Sequence, residues 1–233
     1  MPNSPRVISL DLDNTLWDTP PVLIRAETLL RGWLEAHMPA LADQFDPAAL
    51  TALRLEVAAA APERGHDFSW IRTEALRRAA RASGYDEAMA DRAFEVFLAA
   101  RNDIEPFAGV RAGLERLAAW VPLYAVTNGN ACVRRVGLGE HFVGAIDPVL
   151  AGAAKPDPRI FAALIALAGV PARSILHVGD DALADVEGAR ACGLRTVWMN
   201  RTGEAWMAPY APADYEVVDM DDLIRLVEKL RSA

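Results

Sequence analysis

From Pro106 onward the chain alternates between stretches of helical and of strand character, and nothing else in it restricts the fold as strongly. Helix Val110 to Trp120 leads to strand Leu123 to Thr127, helix Pro158 to Ala168 to strand Ser174 to Val178, and helix Ala182 to Cys192 to strand Thr196 to Met199. Strands joined through helices run parallel, and the helices cover both faces of the sheet they build. A further apolar strand, Arg6 to Leu12, lies far upstream of this series. The expected class is α/β, and its ligands should bind beyond the carboxyl ends of the strands, as in open parallel sheets generally.

Between Pro20 and about Asp103 little reads as strand. Four amphipathic helices are expected there: Pro21 to His37, Pro47 to Ala60, Phe68 to Ser83 and Glu87 to Asn102. Asp18 or Thr19 ahead of Pro20-Pro21, and Asp46 ahead of Pro47, place a capping side chain before a proline in the first turn. Gly84 stops the third helix. Leu23, Leu30 and Leu34, with Trp33 beside them, recur at helical spacing, as do Leu76, Ala79 and Ala80, and read as core. Because the first strand precedes this block, the block is an all-helical insertion into one sheet domain and should sit over its active end. The expected division is a core of residues 1–18 and 104–233 and an insert of residues 19–103.

A chain of 233 residues, 52% of them apolar, has material for one substantial core and a small second unit. The formal charge of −8, without a cluster of Lys and Arg, disfavours nucleic acid as a partner. The N-terminal apolar run is broken by Asp11 too soon for a signal peptide, and no stretch approaches the length of a membrane span. A cytoplasmic protein with no membrane partner is expected, its oligomeric state open and a homo-oligomer allowed. Cys132 and Cys192 fit no disulfide framework or zinc spacing and read as small, partly buried thiols.

Polar groups of a particular kind collect where the apolar strands end. Asp11 and Asp13, in DLDNT, stand two positions apart at the end of the first strand, so their carboxylates project to one side. Two like charges held together require a cation between them or a proton on one of them. The second strand ends in Thr127-Asn128-Gly129, and the third in Gly179-Asp180-Asp181 with Asp185 following, while Lys155 stands in Lys-Pro-Asp-Pro before a helix. Lys155 is one of only two lysines among 24 cationic side chains, which singles out a compact ammonium where the chain otherwise uses arginine.

In order these are D-x-D-x-T, T-N-G, K-P and G-D-D-x-x-x-D, and the set resembles the four motifs of the haloacid dehalogenase-like hydrolase superfamily. The resemblance implies a Rossmann-like parallel sheet core with an inserted helical cap after the first motif, and phosphoryl transfer as the chemistry. That reaction needs an in-line nucleophile, cations on the phosphoryl oxygens and a proton for the leaving group. Carried onto this chain, the resemblance makes Asp11 the nucleophile of an aspartyl-phosphate mechanism. It makes Asp13 the acid and base, and makes Asp11, the backbone carbonyl of Asp13 and Asp180 the ligands of Mg²⁺. Thr127, the amides of Asn128 and Gly129, and Lys155 would hold the phosphate, with Thr127 and Lys155 counted in the catalytic set. Asp181 and Asp185 would stand behind them, orienting waters and Lys155.

Other uses of Asp-x-Asp fit less well. A calcium-binding EF-hand loop needs Gly at its sixth position and Glu at its twelfth, where this chain has Leu16 and Val22. A metal-dependent glycosyltransferase gives no reason for Thr127, Lys155 and Asp180 at strand ends. Dehalogenases of the superfamily work without metal and lack the second acid, present here as Asp13. Phosphomutases and a non-catalytic binding module share the motifs. The stretches VISLDLDNTLWDTPPVLIRAE, PLYAVTNGNA and ILHVGDDALADV, with GHDFSWIR in the insert, are similar to bacterial phosphatases acting on 5-amino-6-(5-phospho-D-ribitylamino)uracil in riboflavin biosynthesis and on FMN. The substrate implied is a small-molecule phosphate of that kind, with general sugar-phosphate or nucleotide phosphatase activity as the alternative. Selection would fall to the insert and its entrance, with pocket candidates Trp17 and Arg25 near that entrance and His66, Trp70 and Arg72 between its second and third helices, Trp70 being able to stack on a flat ring.

Overall fold

The computed structural model describes residues 4–206 and 209–232. It divides into two compact units, one of residues 1–18 with 105–233 and one of residues 19–104.

In the first unit six strands form one sheet: β1 (Val7–Leu10), β2 (Leu123–Val126), β3 (Gly144–Ile146), β4 (Ile175–Gly179), β5 (Arg195–Met199) and β6 (Tyr215–Val217). Their order is β3-β2-β1-β4-β5-β6 and every pairing is parallel, so the sheet is Rossmann-like. β1 is central, with Ile8 registered against Leu123 on one side and Leu176 on the other. The chain builds outward from β1 through β2 to β3, then returns to β1's other edge with β4. The order therefore reverses between β1 and β4, and the strand ends diverge there to leave a crevice. Asp11 and Asp180 follow these two strands.

β1, β2 and β4 are buried along their whole length, which is why they read as unbroken apolar runs rather than as alternating ones. Val7, Val126, Ile160, Phe161, Leu164 and Ile175 form the core between β1, β2 and β4 and the helix Pro158–Ala168. The sequence reading lacked β3 and β6, each three residues long, and the final helix Met220–Ser232. That helix buries Leu223, Ile224, Val227 and Leu230 along one face, a helical repeat open to reading from sequence.

The second unit is all helical: Thr19–His37, Pro39–Gln44, Pro47–Ala60, Phe68–Ala82 and Glu87–Asn102. Asp46, Asp67 and Asp86 cap three of these by accepting from Ala49, Trp70 and Ala88 N–H at 2.7, 2.9 and 2.8 Å. The first helix begins at Thr19, since prolines are tolerated in a first turn where N–H groups have no partner. Its core face is Ala26, Leu30 and Leu34, whereas Leu23, read as core, is 38% exposed one turn before it. Small residues Ala79, Ala80, Ala90 and Ala93 let neighbouring helices approach closely around Phe97. Among the described residues no helix is long and apolar enough to cross a membrane.

Candidate active site

The DLDNT segment leaves β1 under tight control. Asp11 N–H donates to Val178 O at 2.8 Å, continuing the β1 to β4 pairing one residue past the strand. The chain then turns back at Asn14, whose φ of +61° is a left-handed value that asparagine accepts better than most residues. Leu16 N–H closes the turn on Leu12 O at 2.8 Å. This returns the Thr15 hydroxyl to the carboxylates, 3.3 Å from Oδ2 of Asp11 and 3.1 Å from Oδ1 of Asp180. One hydroxyl proton thus serves two acids. Arg201, which sequence reasoning missed, holds the Thr15 carbonyl through Nε at 3.1 Å and Nη2 at 2.8 Å while its guanidinium lies over the Phe107 ring.

Lys155 enters from the loop before the helix Pro158–Ala168, two residues ahead of that helix's cap, Asp157. Its Nζ donates to Oδ1 of Asp11 at 2.5 Å, to Oδ1 of Asp185 at 2.6 Å and to Val126 O at 2.9 Å, so all three of its protons are placed. Asp185 reaches this position over Gly179, where a Cβ would lie 2.2 Å from the Asp185 carboxyl carbon. Its other oxygen accepts from Asp181 N–H at 3.1 Å. Behind it, His177 contacts Asp185 at 3.1 Å through Nε2 and Ser9 at 2.8 Å through Nδ1. An ionised carboxylate only accepts, so Nε2 carries the proton and the Ser9 hydroxyl donates to Nδ1. His177 was also missed, although a histidine inside the apolar run ILHVG was a readable signal.

The other motif residues divide between contact and support. Thr127 is buried, and its hydroxyl accepts from Gly129 N–H at 3.0 Å. The Asn128 side chain clasps the Lys155 backbone, donating to its carbonyl at 2.9 Å and accepting from its N–H at 2.6 Å. Asp181, expected to orient Lys155, is exposed and instead caps the following π-helical turn Ala182–Glu187 through Leu183 and Ala184 N–H. Asp13 accepts from the Trp17 indole at 2.8 Å.

The charges here call for a cation or for a proton on one of the acids. Asp11, Asp180 and Asp185 bring ligand atoms within 4.8 Å of one another, against the single ammonium of Lys155. Burial pushes the Asp11 carboxyl well above the usual carboxylate range, Lys155 opposes this, and Asp185 and Asp180 reinforce it. Burial and then the charge of Asp185 raise Asp180 to about 6. Burial also works against ionised Asp185, but Lys155 and His177 outweigh it and hold that carboxyl far below its ordinary value. The donor set is all hard oxygen and carries surplus negative charge, which fits Mg²⁺. Asp185 already accepts from three donors, leaving Asp11 and Asp180, which share only the Thr15 hydroxyl, as the freer ligands.

The insert's candidates lie in different settings. Trp17 is fully buried and belongs to the sheet unit, not to a pocket wall. Arg25 is exposed and pairs with Asp103 at 3.4 Å. His66 is half-buried. Trp70 packs beside Val57, Ile71 and Ala75, with the Arg64 guanidinium 4.1 Å over its ring. Arg72, expected to contact substrate, pairs with Glu27 at 2.9 Å and lies 3.6 Å over the Phe97 ring. The helical unit has a cavity of its own of about 500 Å³, floored by Leu30, Leu34 and Leu50, which no motif residue lines. Cys192 is half-buried, and Cys132, read as partly buried, is exposed.

A parallel sheet with a carboxylate cluster and a buried lysine at its switch point defines a hydrolase of a known kind. The sequence pattern of haloacid dehalogenase-like hydrolases matches residues 5–193, and the chain belongs to that family. It is 33% identical over 196 residues to the 5-amino-6-(5-phospho-D-ribitylamino)uracil phosphatase YigB of Escherichia coli K12, covering 82% of each chain. It is 30% identical to the phosphoglycolate phosphatase of Pseudomonas syringae pv. tomato over 96% of this chain and 79% of that one. The crystal structure of a 2-haloacid dehalogenase from Pseudomonas syringae pv. tomato superposes with a TM-score of 0.91 at 36% identity, covering 96% of this chain and 98% of the other. The chain is an enzyme, and its curated relatives place it with the phosphatases of the family.

Proposed function

We propose that this protein is a Mg²⁺-dependent phosphomonoester hydrolase acting through an aspartyl-phosphate on Asp11. The observation that carries the reading is the clamp on Asp11: a buried carboxylate with one oxygen on Lys155 and the other on Thr15 has a fixed orientation at the crevice. In the first half-reaction Asp11 attacks phosphorus while Asp13 gives a proton to the departing oxygen. In the second, Asp13 takes a proton from the water that attacks the phosphoenzyme. Lys155 and the Thr127 hydroxyl orient the phosphate. Asp11, the Asp13 carbonyl and Asp180 would hold Mg²⁺, which when bound offsets the negative charge of the carboxylates and phosphoryl oxygens.

The substrate we infer is a small phosphorylated compound, with the phosphoribitylamino-uracil placed first on the likeness to YigB and FMN, another ribityl phosphate with a flat ring, beside it. The helical insert would select it as a cap, and the cytoplasm is its expected setting. Dehalogenation is the second reading, favoured by the 36% identity to a protein described as a 2-haloacid dehalogenase. Asp13 argues for phosphate, since displacing a halide needs no proton donor. The test is a panel of phosphomonoesters assayed with Mg²⁺ for phosphate release, beside 2-chloropropionate assayed for chloride. Phosphate release from ribityl or flavin phosphates above sugar phosphates supports the proposal. Chloride release without phosphatase activity overturns it.

A further inference from the structure

Trp17 holds the fourth position after Asp13, and the two meet although no helix joins them. A parallel backbone bridge links Asp13 to Trp17, so the turn around Asn14 is closed by pairing at its base. Within that loop the Trp17 indole donates Nε1–H to Oδ1 of Asp13 at 2.8 Å. Its side chain is among the largest fully buried ones, and Phe107 N–H fixes the neighbouring Leu16 carbonyl at 2.9 Å. The ring therefore has one orientation, while Asp13 itself is only half-buried.

An indole N–H donates and never accepts. A carboxyl oxygen facing it is held as an acceptor, and the carboxyl plane is set by the bond. We propose that Trp17 is a positioning residue for proton transfer, holding the Asp13 carboxyl through Oδ1 in the orientation from which it exchanges a proton with the leaving group and with water. The inference rests on the phosphatase reading of Asp11 and Asp13. An Asp11 oxygen supplies the electron pair for the new bond to phosphorus, the ester oxygen leaves with the pair of the broken bond, and the Asp13 carboxyl delivers the proton that neutralises it. In hydrolysis the attacking water gives a proton to the Asp13 carboxylate, its oxygen bonds phosphorus, and Asp11 recovers its pair. A carboxylate free to rotate would spend part of its time with neither oxygen aligned, and alignment is where much of general acid catalysis resides.

The test compares Trp17→Phe with the parent and with Asp13→Asn on two esters in Mg²⁺. One ester is an alkyl phosphate, whose leaving oxygen needs a proton, and the other is 2,4-dinitrophenyl phosphate, whose leaving group does not. Trp17→Phe should lower kcat on the alkyl ester by about 10- to 100-fold, part of the roughly 10²–10⁴-fold that general acid catalysis supplies, with KM unchanged. On the dinitrophenyl ester kcat should stay within about threefold of the parent. In the Asp13→Asn background the change should add no further selectivity. Equal losses on both esters would assign Trp17 to packing alone and overturn the proposal. If Asp13→Asn itself fails to distinguish the esters, the acid role of Asp13 falls and the proposal falls with it. Should Trp17→Phe not fold, benzothienylalanine at position 17 keeps the ring's shape with sulfur in place of N–H and must give the same selectivity.

Discussion

The ammonium of Lys155 lies 2.5 Å from Oδ1 of Asp11, with their side chains 2% and 9% exposed. A pair so dry persists because the lysine's other protons are also placed, on Asp185 and on the Val126 carbonyl. Removing one partner of a buried pair leaves the other charge without compensation, at a cost of about 3–5 kcal/mol. Lys155→Met should therefore lower stability by roughly that amount, measured by urea unfolding without metal. It should also lower kcat/KM at least about 100-fold, as the loss of a positioned cation does in other electrostatic sites. A variant with parental activity would show that Lys155 is only structural.

Gly179 offers a test of geometry alone. A methyl group there would meet the Asp185 carboxyl at 2.2 Å, on a strand that cannot shift without breaking its pairing. Gly179→Ala should destabilise by about 1–3 kcal/mol, the usual cost of overpacking, and should depress activity through a displaced Asp185 and Lys155. Unchanged melting and turnover would contradict the packing described for this corner.

Much of this site was readable before the structure. The strands carrying Asp11, Thr127 and Asp180 are apolar throughout because both faces are covered, so their ends stood out. β3 and β6 were not readable: Gly144-Ala145-Ile146 and Tyr215-Glu216-Val217 carry no pattern of their own and are strands only by pairing with β2 and β5. Long-range polar partners were equally hidden, since nothing in sequence ties Arg201 to the Thr15 carbonyl. The partners of Arg72 were hidden in the same way. A lone arginine beside a tryptophan reads as a ligand contact, yet its partners Glu27 and Phe97 come from other helices.

Metal binding should be linked to pH through Asp180. Its carboxyl is raised to about 6, so between about pH 4 and 6 the metal-free native state keeps a proton that the unfolded chain has lost. This contribution to stability is therefore complete below the unfolded value and is lost as pH rises through about 6. Mg²⁺ bound at Asp180 would replace that proton. The rise in Tm produced by Mg²⁺ should be larger at about pH 7.5 than at about pH 5, and Asp180→Ala should weaken it about tenfold or more in Mg²⁺ concentration. An equal rise in Tm at both pH values would count against Asp180 as a ligand.

The helical insert predicts a split between two neighbours. Arg72→Ala should destabilise the protein, since it removes the Glu27 pair and the stacking on Phe97, while changing KM little for any ester. Trp70→Ala should raise KM for FMN more than for p-nitrophenyl phosphate if a flat ring is bound there. Equal KM changes on both compounds would remove Trp70 from the substrate site.

The central claim is that Asp11 carries the phosphoryl group. Acid quenching within the first turnover on an activated phosphate ester with Mg²⁺, followed by peptide mass spectrometry, reads this directly. The account expects one phosphate on the peptide containing Asp11, at the Asp11 side chain, and neither adduct nor turnover in Asp11→Asn. Phosphate on another residue, or steady release of phosphate by Asp11→Asn, would contradict it.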